Sequence, residues 1–277
     1  IPKQFIQNND LIERTKLIRD TLMTIKHPFL AGANYAFQDS THIFIVLDYV
    51  RGQKLSSFLE RGELIKEEES KKYIAMLIVA IGDLHTHQII HRDVQPENIM
   101  IDADGYLKIT DFAITHYYKN DQSTGTTFCG SPEYMAPEIV SQKPYGRQVD
   151  WWALGVIGFR MLFGISPFSD QSDSLIFNNI IHKDYEIPES TTVSATAQDF
   201  IRGLLIKDPK QRLGGSSSDY VDLQQHPWFD DLEWDDLIER KIPMAIKPVI
   251  DNSDLDDLNE NFDELFKNDP LATEDKG

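Results

Sequence analysis

The sequence predicts an α+β fold with its strands early and its helices late, and three observations carry that expectation. The run Ile43–Leu47 is short and apolar throughout, which suits a buried strand. Residues 98–101 and 106–109 are apolar stretches on either side of Asp104-Gly105, a dipeptide that accommodates the positive φ of a tight hairpin. Between residues 69 and 88, Tyr73, Met76, Leu77, Ala80, Ile81 and Leu84 recur at helical spacing on one face.

In chain order, residues 10–25 read as a helix leading into His27-Pro28-Phe29-Leu30. The strand Ile43–Leu47 follows, and Arg51-Gly52-Gln53 breaks the pattern before the long helix. After the hairpin, helical patterns dominate residues 151–228, interrupted at Pro167, Pro188, Pro209 and Gly214-Gly215. Residues 151–168 reach membrane-span length. Arg160 near the middle, three glycines and a proline close to the end instead mark a helix buried in a globular core. From residue 251 onward ten acidic and two basic side chains give a net charge of −8 over 27 residues, which reads as a solvated tail.

A chain of 277 residues with 41% hydrophobic content can build a real core, as one large domain or two small ones. Its 27 basic and 45 acidic residues leave a net charge of −18, which argues against nucleic acid or an anionic membrane as partner. The single cysteine, Cys129, excludes an internal disulfide framework and a thiolate zinc cluster. It fits a reducing compartment, so a cytoplasmic or nuclear location is expected. The chain opens on Ile1 without a secretory pattern and is expected to be truncated upstream.

The chemistry concentrates in Ile90-His91-Arg92-Asp93-Val94-Gln95-Pro96-Glu97-Asn98, followed thirteen residues after Asn98 by Asp111-Phe112. A hairpin between Asn98 and Asp111 folds the third side chain back beside the first two. Phosphoryl transfer needs such a set: Asp93 to accept a hydroxyl proton, Asn98 and Asp111 to hold Mg²⁺ against nucleotide phosphates. Taken singly, each residue is more often a cap or a turn former.

These residues resemble the catalytic loop of the protein kinases, and Cys129-Gly130-Ser131-Pro132-Glu133-Tyr134-Met135-Ala136-Pro137-Glu138 extends the resemblance. Val149-Asp150-Trp151-Trp152-Ala153-Leu154-Gly155 and Lys207-Asp208-Pro209-Lys210-Gln211-Arg212-Leu213-Gly214 are similar to the AGC group of serine/threonine kinases. Asn261-Phe262-Asp263-Glu264-Leu265-Phe266 resembles that group's C-terminal extension. The resemblance implies a bilobal kinase fold: residues 1–50 a partial small lobe, 51–230 the large lobe, 231–277 an acidic tail. It implies ATP and Mg²⁺ as cofactors, with backbone groups of Asp48 and Val50 offered to adenine. Glu138 and Arg212 would form a buried ion pair, and Asp150 would brace the catalytic loop. Thr127 would be the site of an upstream activating kinase, with Arg92 as the charge partner of its phosphate.

Five departures accompany the likeness. The glycine-rich loop and the strand lysine fall before Ile1 by the family spacing. The helix glutamate that pairs with that lysine aligns with Ile18, or with Leu17 after a one-residue slip, leaving Glu13 as a substitute only in a shifted register. Gln95 stands in place of the lysine that touches the transferred phosphate, and Ala113 in place of the glycine after Asp111-Phe112. Lys54 and Arg160 occupy positions that carry acidic residues in kinases selecting arginine-rich substrates, so a substrate of another type is expected. Two functions stay open: a serine/threonine protein kinase of reduced turnover, and a pseudokinase that uses the fold for binding or allostery. A third reading takes His85, His87 and His91 as metal ligands.

Overall fold

The computed structural model describes residues 1–8, 11–61, 64–112, 114–118, 125–188 and 191–248, with Arg14 described by its backbone alone. The chain opens with α1 (Lys3–Asn8) and α2 (Ile12–Thr24), then turns at His27-Pro28 into the antiparallel pair β1 (Ala33–Gln38) and β2 (Ile43–Leu47). Phe37 and Phe44 face each other in register and stack with centroids 4.9 Å apart, an aromatic cross-strand pair. These elements form the small lobe of a bilobal α+β fold.

The larger lobe begins with β3 (Gly52–Lys54), α3 (Leu55–Leu59) and α4 (Glu67–Thr86). Three glutamates in the first turn of α4 complement the positive end of its dipole. From Tyr73 to Ile81 every hydrophobic side chain of α4 is buried, the pattern of a helix at the centre of a core. Next come β4 (Ile89–Ile90), a 3₁₀ turn at Pro96–Asn98, the hairpin β5 (Ile99–Asp102) and β6 (Leu107–Ile109), and β7 (His116–Tyr117). Gly105 makes the hairpin turn at φ +94°. The strands assemble in the orders β3-β5-β6 and β4-β7. The helices α5 (Pro137–Val140), α6 (Gln148–Phe163), α7 (Asp173–His182), α8 (Ala195–Leu204), α9 (Tyr220–Gln224) and α10 (Trp234–Ile238) complete the lobe.

The segment Arg51-Gly52-Gln53, read from sequence as a break, is a strand in part. Gly52–Lys54 pairs with β5, and a Cβ on Gly52 would lie 1.9 Å from the Ile101 carbonyl oxygen. Close approach of two backbones is what that glycine provides. The apolar stretch over residues 151–168 lies largely in α6, which Gly164 terminates at φ +73°. Among the described residues no helix is long and apolar enough to cross a membrane.

The lobes meet where Phe29, Leu30 and Ala31 run alongside β6. The Ile109 N–H donates to the Phe29 carbonyl at 3.0 Å, and the Ala31 N–H to the Ile109 carbonyl at 2.8 Å. Asp111 follows two residues later, so the end of the hairpin is delivered to the junction between lobes.

Candidate active site

The loop between β4 and the 3₁₀ turn carries Arg92 at φ +70°, a left-handed conformation that costs a non-glycine residue about 1–3 kcal/mol. Asp150, in the first turn of α6, offsets this cost. Its buried carboxylate accepts the His91 N–H and the Arg92 N–H, both at 2.8 Å. The same carboxylate accepts from His85 Nε2 at 2.9 Å, while His85 Nδ1 reaches Asp219 at 3.0 Å. Asp219 also accepts from Trp151 Nε1 at 2.7 Å. Burial alone would lower the His85 pKa, but the bonds to Asp150 and Asp219 overcome it and push it up to about 9. A buried imidazolium therefore joins two carboxylates beneath the loop.

On this support Asp93 is fixed by donors from two directions. Asn98 Nδ2 donates to Asp93 Oδ2 at 2.8 Å and to the Asp93 carbonyl at 3.0 Å, and Gln95 Nε2 donates to Oδ2 at 2.9 Å. Ser131 reaches Oδ1 with its N–H at 3.1 Å and its Oγ at 3.4 Å. The Asn98 carbonyl accepts the Thr110 N–H at 2.9 Å, which sets Asp111 one residue beyond. Asp93 and Asn98 are thus joined directly, and the hairpin returns the chain to Asn98 one residue before Asp111. The carboxylate-bearing Asp111 is exposed and lines a cleft of about 660 Å³ between the lobes, whose other walls include Ile18, Leu22, Ile45, Leu47 and Phe112.

Arg92 is buried and spends its guanidinium on three oxygens: the Ile114 carbonyl (Nε, 2.6 Å), the Tyr145 hydroxyl (Nη1, 3.0 Å) and the Thr115 carbonyl (Nη2, 3.4 Å). Thr127 is exposed, and its carbonyl accepts from the Tyr145 hydroxyl at 2.9 Å. Glu138 and Arg212 form a buried bidentate pair with N–O distances of 2.8 and 3.0 Å.

A protein kinase domain model matches residues 6–229 of the chain. This chain is an AGC-group protein kinase domain. It is 39% identical over 245 residues to serine/threonine-protein kinase Sgk2 of Mus musculus, covering 88% of this chain and 65% of that protein. Against RAC-beta serine/threonine-protein kinase B of Xenopus laevis it is 38% identical over 264 residues, 95% of this chain and 53% of that protein. Against serine/threonine-protein kinase Sgk3 of Rattus norvegicus it is 38% identical over 260 residues, 94% of this chain and 50% of that protein. The chain thus spans between half and two thirds of the length of these curated relatives.

The kinase domain departs from the sequence expectations at two places. Glu13 does not turn inward: its side chain is 87% exposed and pairs with Lys16 at 2.8 Å, so it is no substitute for a helix glutamate. Ile18 is half-buried and packs against the core while lining the cleft. The three histidines also form no metal site. His85 is spent on two aspartates, and the exposed His87 ring contacts the Asp83 carbonyl at 2.8 Å. His91 is buried against Phe112, with ring centroids 5.4 Å apart. Among the described residues no group of three or more His, Cys, Asp or Glu could hold a metal.

Between β2 and β3, Asp48 gives its N–H to the Gly32 carbonyl, and its carboxylate accepts from Gly32 N and Asn34 Nδ2. Val50, two residues on, is half-buried. Lys54 is exposed, whereas Arg160 is half-buried and donates Nη1 to the Tyr134 hydroxyl at 3.0 Å, close to Glu97 and Glu133. Ala113, Phe262 and Phe266 lie outside the described residues, as does the acidic tail from residue 251. The pairing of His85 with Asp219 escaped the sequence reading because a histidine near the end of a helix and an aspartate 134 positions away carry no local signal of their meeting.

Proposed function

We propose that the gene product transfers the γ-phosphate of ATP to a hydroxyl of a protein substrate, with Asp93 as the base and with low turnover. The observation that supports this most is the Asp93 carboxylate itself, held by hydrogen bonds from Asn98, Gln95 and Ser131. The Ser131 Oγ contact, at 3.4 Å, is the longest of the four and the one a substrate hydroxyl can replace. Asn98 commits Nδ2 to Asp93, which leaves its Oδ1 lone pairs to ligate a cation, and Asp111 adds an exposed carboxylate. Such hard oxygen donors fit Mg²⁺. Bound there with ATP, the cation would neutralise charge at the phosphates. The backbone carbonyl of Asp48 and the N–H of Val50 would meet the adenine edge.

Gln95 presents a neutral amide near the reacting groups, where a lysine would bring charge. Arg160, held on Tyr134 beside Glu97 and Glu133, offsets acidic charge that an arginine of the substrate would otherwise meet. The substrate in this reading is neutral or acidic around its acceptor. Thr127, exposed on the segment before Ser131, is open to an upstream kinase.

The test is phosphorylation of the full-length protein and of a peptide array, beside Asp93→Asn. Incorporation lost with Asp93→Asn, and selection against upstream arginine, are the expected results. Equal signals from both proteins, or none from either, would favour the second reading, a pseudokinase. That alternative draws its support from Ile18, which lends the cleft a methyl-lined wall where a carboxylate could have paired with a lysine.

A further inference from the structure

Tyr145 sits between α5 and α6, outside every motif singled out above, and is 3% exposed. Its backbone exchanges two hydrogen bonds with Gly125: the Gly125 N–H donates to the Tyr145 carbonyl at 2.8 Å, and the Tyr145 N–H to the Gly125 carbonyl at 3.0 Å. Its ring covers Gly125 so closely that a Cβ there would fall 2.5 Å from Cε2. Its hydroxyl accepts from Arg92 Nη1 at 3.0 Å and donates to the Thr127 carbonyl at 2.9 Å. One side chain therefore fastens residues 125 and 127 to the catalytic loop.

The other end of the same segment is fastened one residue along that loop. Ser131 N–H holds Asp93 Oδ1 at 3.1 Å. Gly130, at φ +105°, brings its backbone so near Arg92 that a Cβ would lie 2.8 Å from the Arg92 carbonyl oxygen. Residues 125–131 thus form a strap with one attachment through the Tyr145 hydroxyl to Arg92 and the other through Ser131 to Asp93.

We infer that Tyr145 is a positioning residue, whose hydroxyl docks residues 125–131 on Arg92 and thereby keeps the Ser131 N–H on Asp93. The kinetic part of this inference rests on Asp93 acting as the base; the docking part does not. The docking requires no phosphate, because the hydroxyl already bridges the guanidinium and the Thr127 carbonyl. Deleting it leaves a buried N–H of Arg92 and a strap carbonyl without that partner.

The test uses the full-length protein and Tyr145→Phe, which keeps the ring over Gly125. Hydrogen exchange at the Gly125 and Ser131 amides should quicken about tenfold or more, the size of effect a bond to a charged group carries. With a protein substrate, kcat should fall about tenfold while the KM for ATP stays within about twofold, and Tm should fall by no more than a few degrees. Unchanged exchange at both amides overturns the inference. So does a lower Tm with exchange and kcat unaltered, the mark of a merely structural tyrosine. Faster exchange in a protein that shows no phosphoryl transfer upholds the docking role and removes Asp93 as a base. Should Tyr145→Phe fail to fold, exchange in the unaltered protein decides: a common opening rate for the two amides supports the strap, and unrelated rates overturn it.

Discussion

At Asp93, two amides and a backbone N–H fix a carboxylate without adding positive charge of their own. Gln95 is the informative member, because its neutral amide donates to Asp93, the base of the proposed reaction. A charge-assisted hydrogen bond is about twice as strong as a neutral one, so a cation there should stabilise a transferring phosphoryl group by roughly 1–3 kcal/mol more. Gln95→Lys is therefore expected to raise kcat by about 5- to 150-fold with little change in the KM for ATP. Steady-state kinetics on the full-length protein checks this, and an unchanged or lower kcat would show that the amide is not what limits turnover. The pairing of Glu138 with Arg212 stands apart from this chemistry. Both are buried, so removing either would strand a charge and cost stability rather than rate.

At the scale of elements, one three-residue strand is tightly constrained. β3 reaches β5 only because Gly52 lets the Ile101 carbonyl come where a Cβ would stand. Gly52→Ala should push the strands apart and destabilise the protein by about 1–3 kcal/mol or more, read as a lower urea midpoint, and an unshifted midpoint would show that the pair opens at no cost. The same strand shows where the sequence stops being readable. The helix expected over residues 69–88 is Glu67–Thr86 and Asp104-Gly105 does turn a hairpin, whereas Ile43–Leu47 is the strand β2 but not the buried strand expected, since none of its residues is buried in the two-stranded sheet. Each of these rests on a period or a turn within a few residues. β1 and β3 do not: Ala33–Gln38 mixes Asn, Tyr and Gln with exposed positions, and Gly52–Lys54 owes its strand geometry to β5, 50 positions further on at the pair Gly52–Asp102. The kinase family was legible through its motifs. The pairing of His85 with Asp219 and the strap on Tyr145 were not, since both arise from contacts between segments distant in the chain.

For the whole molecule, His85 is a junction: it ties α4 to Asp150 at the start of α6 and to Asp219 ahead of α9, with Arg147 within 3.3 Å of Asp219. Its folded pKa of about 9 exceeds its ordinary value of 6.5, so folding takes up a proton in that window. The stabilisation is fully present below about pH 6.5 and is lost as pH rises through about 9. Tm is thus expected to fall by several degrees over that interval, and His85→Gln, measured in parallel, should flatten the slope. Identical pH profiles for the two proteins would remove His85 as the source. The small lobe is built on other terms. β1 and β2 form a two-stranded sheet, with Tyr35, Phe37, Phe44, Val46 and Leu47 each at least 39% exposed. A hairpin of that kind holds only a thin margin against opening. Heat or denaturant should accordingly peel these residues open from this edge first, leaving the buried ion network around His85 intact in a partly opened molecule.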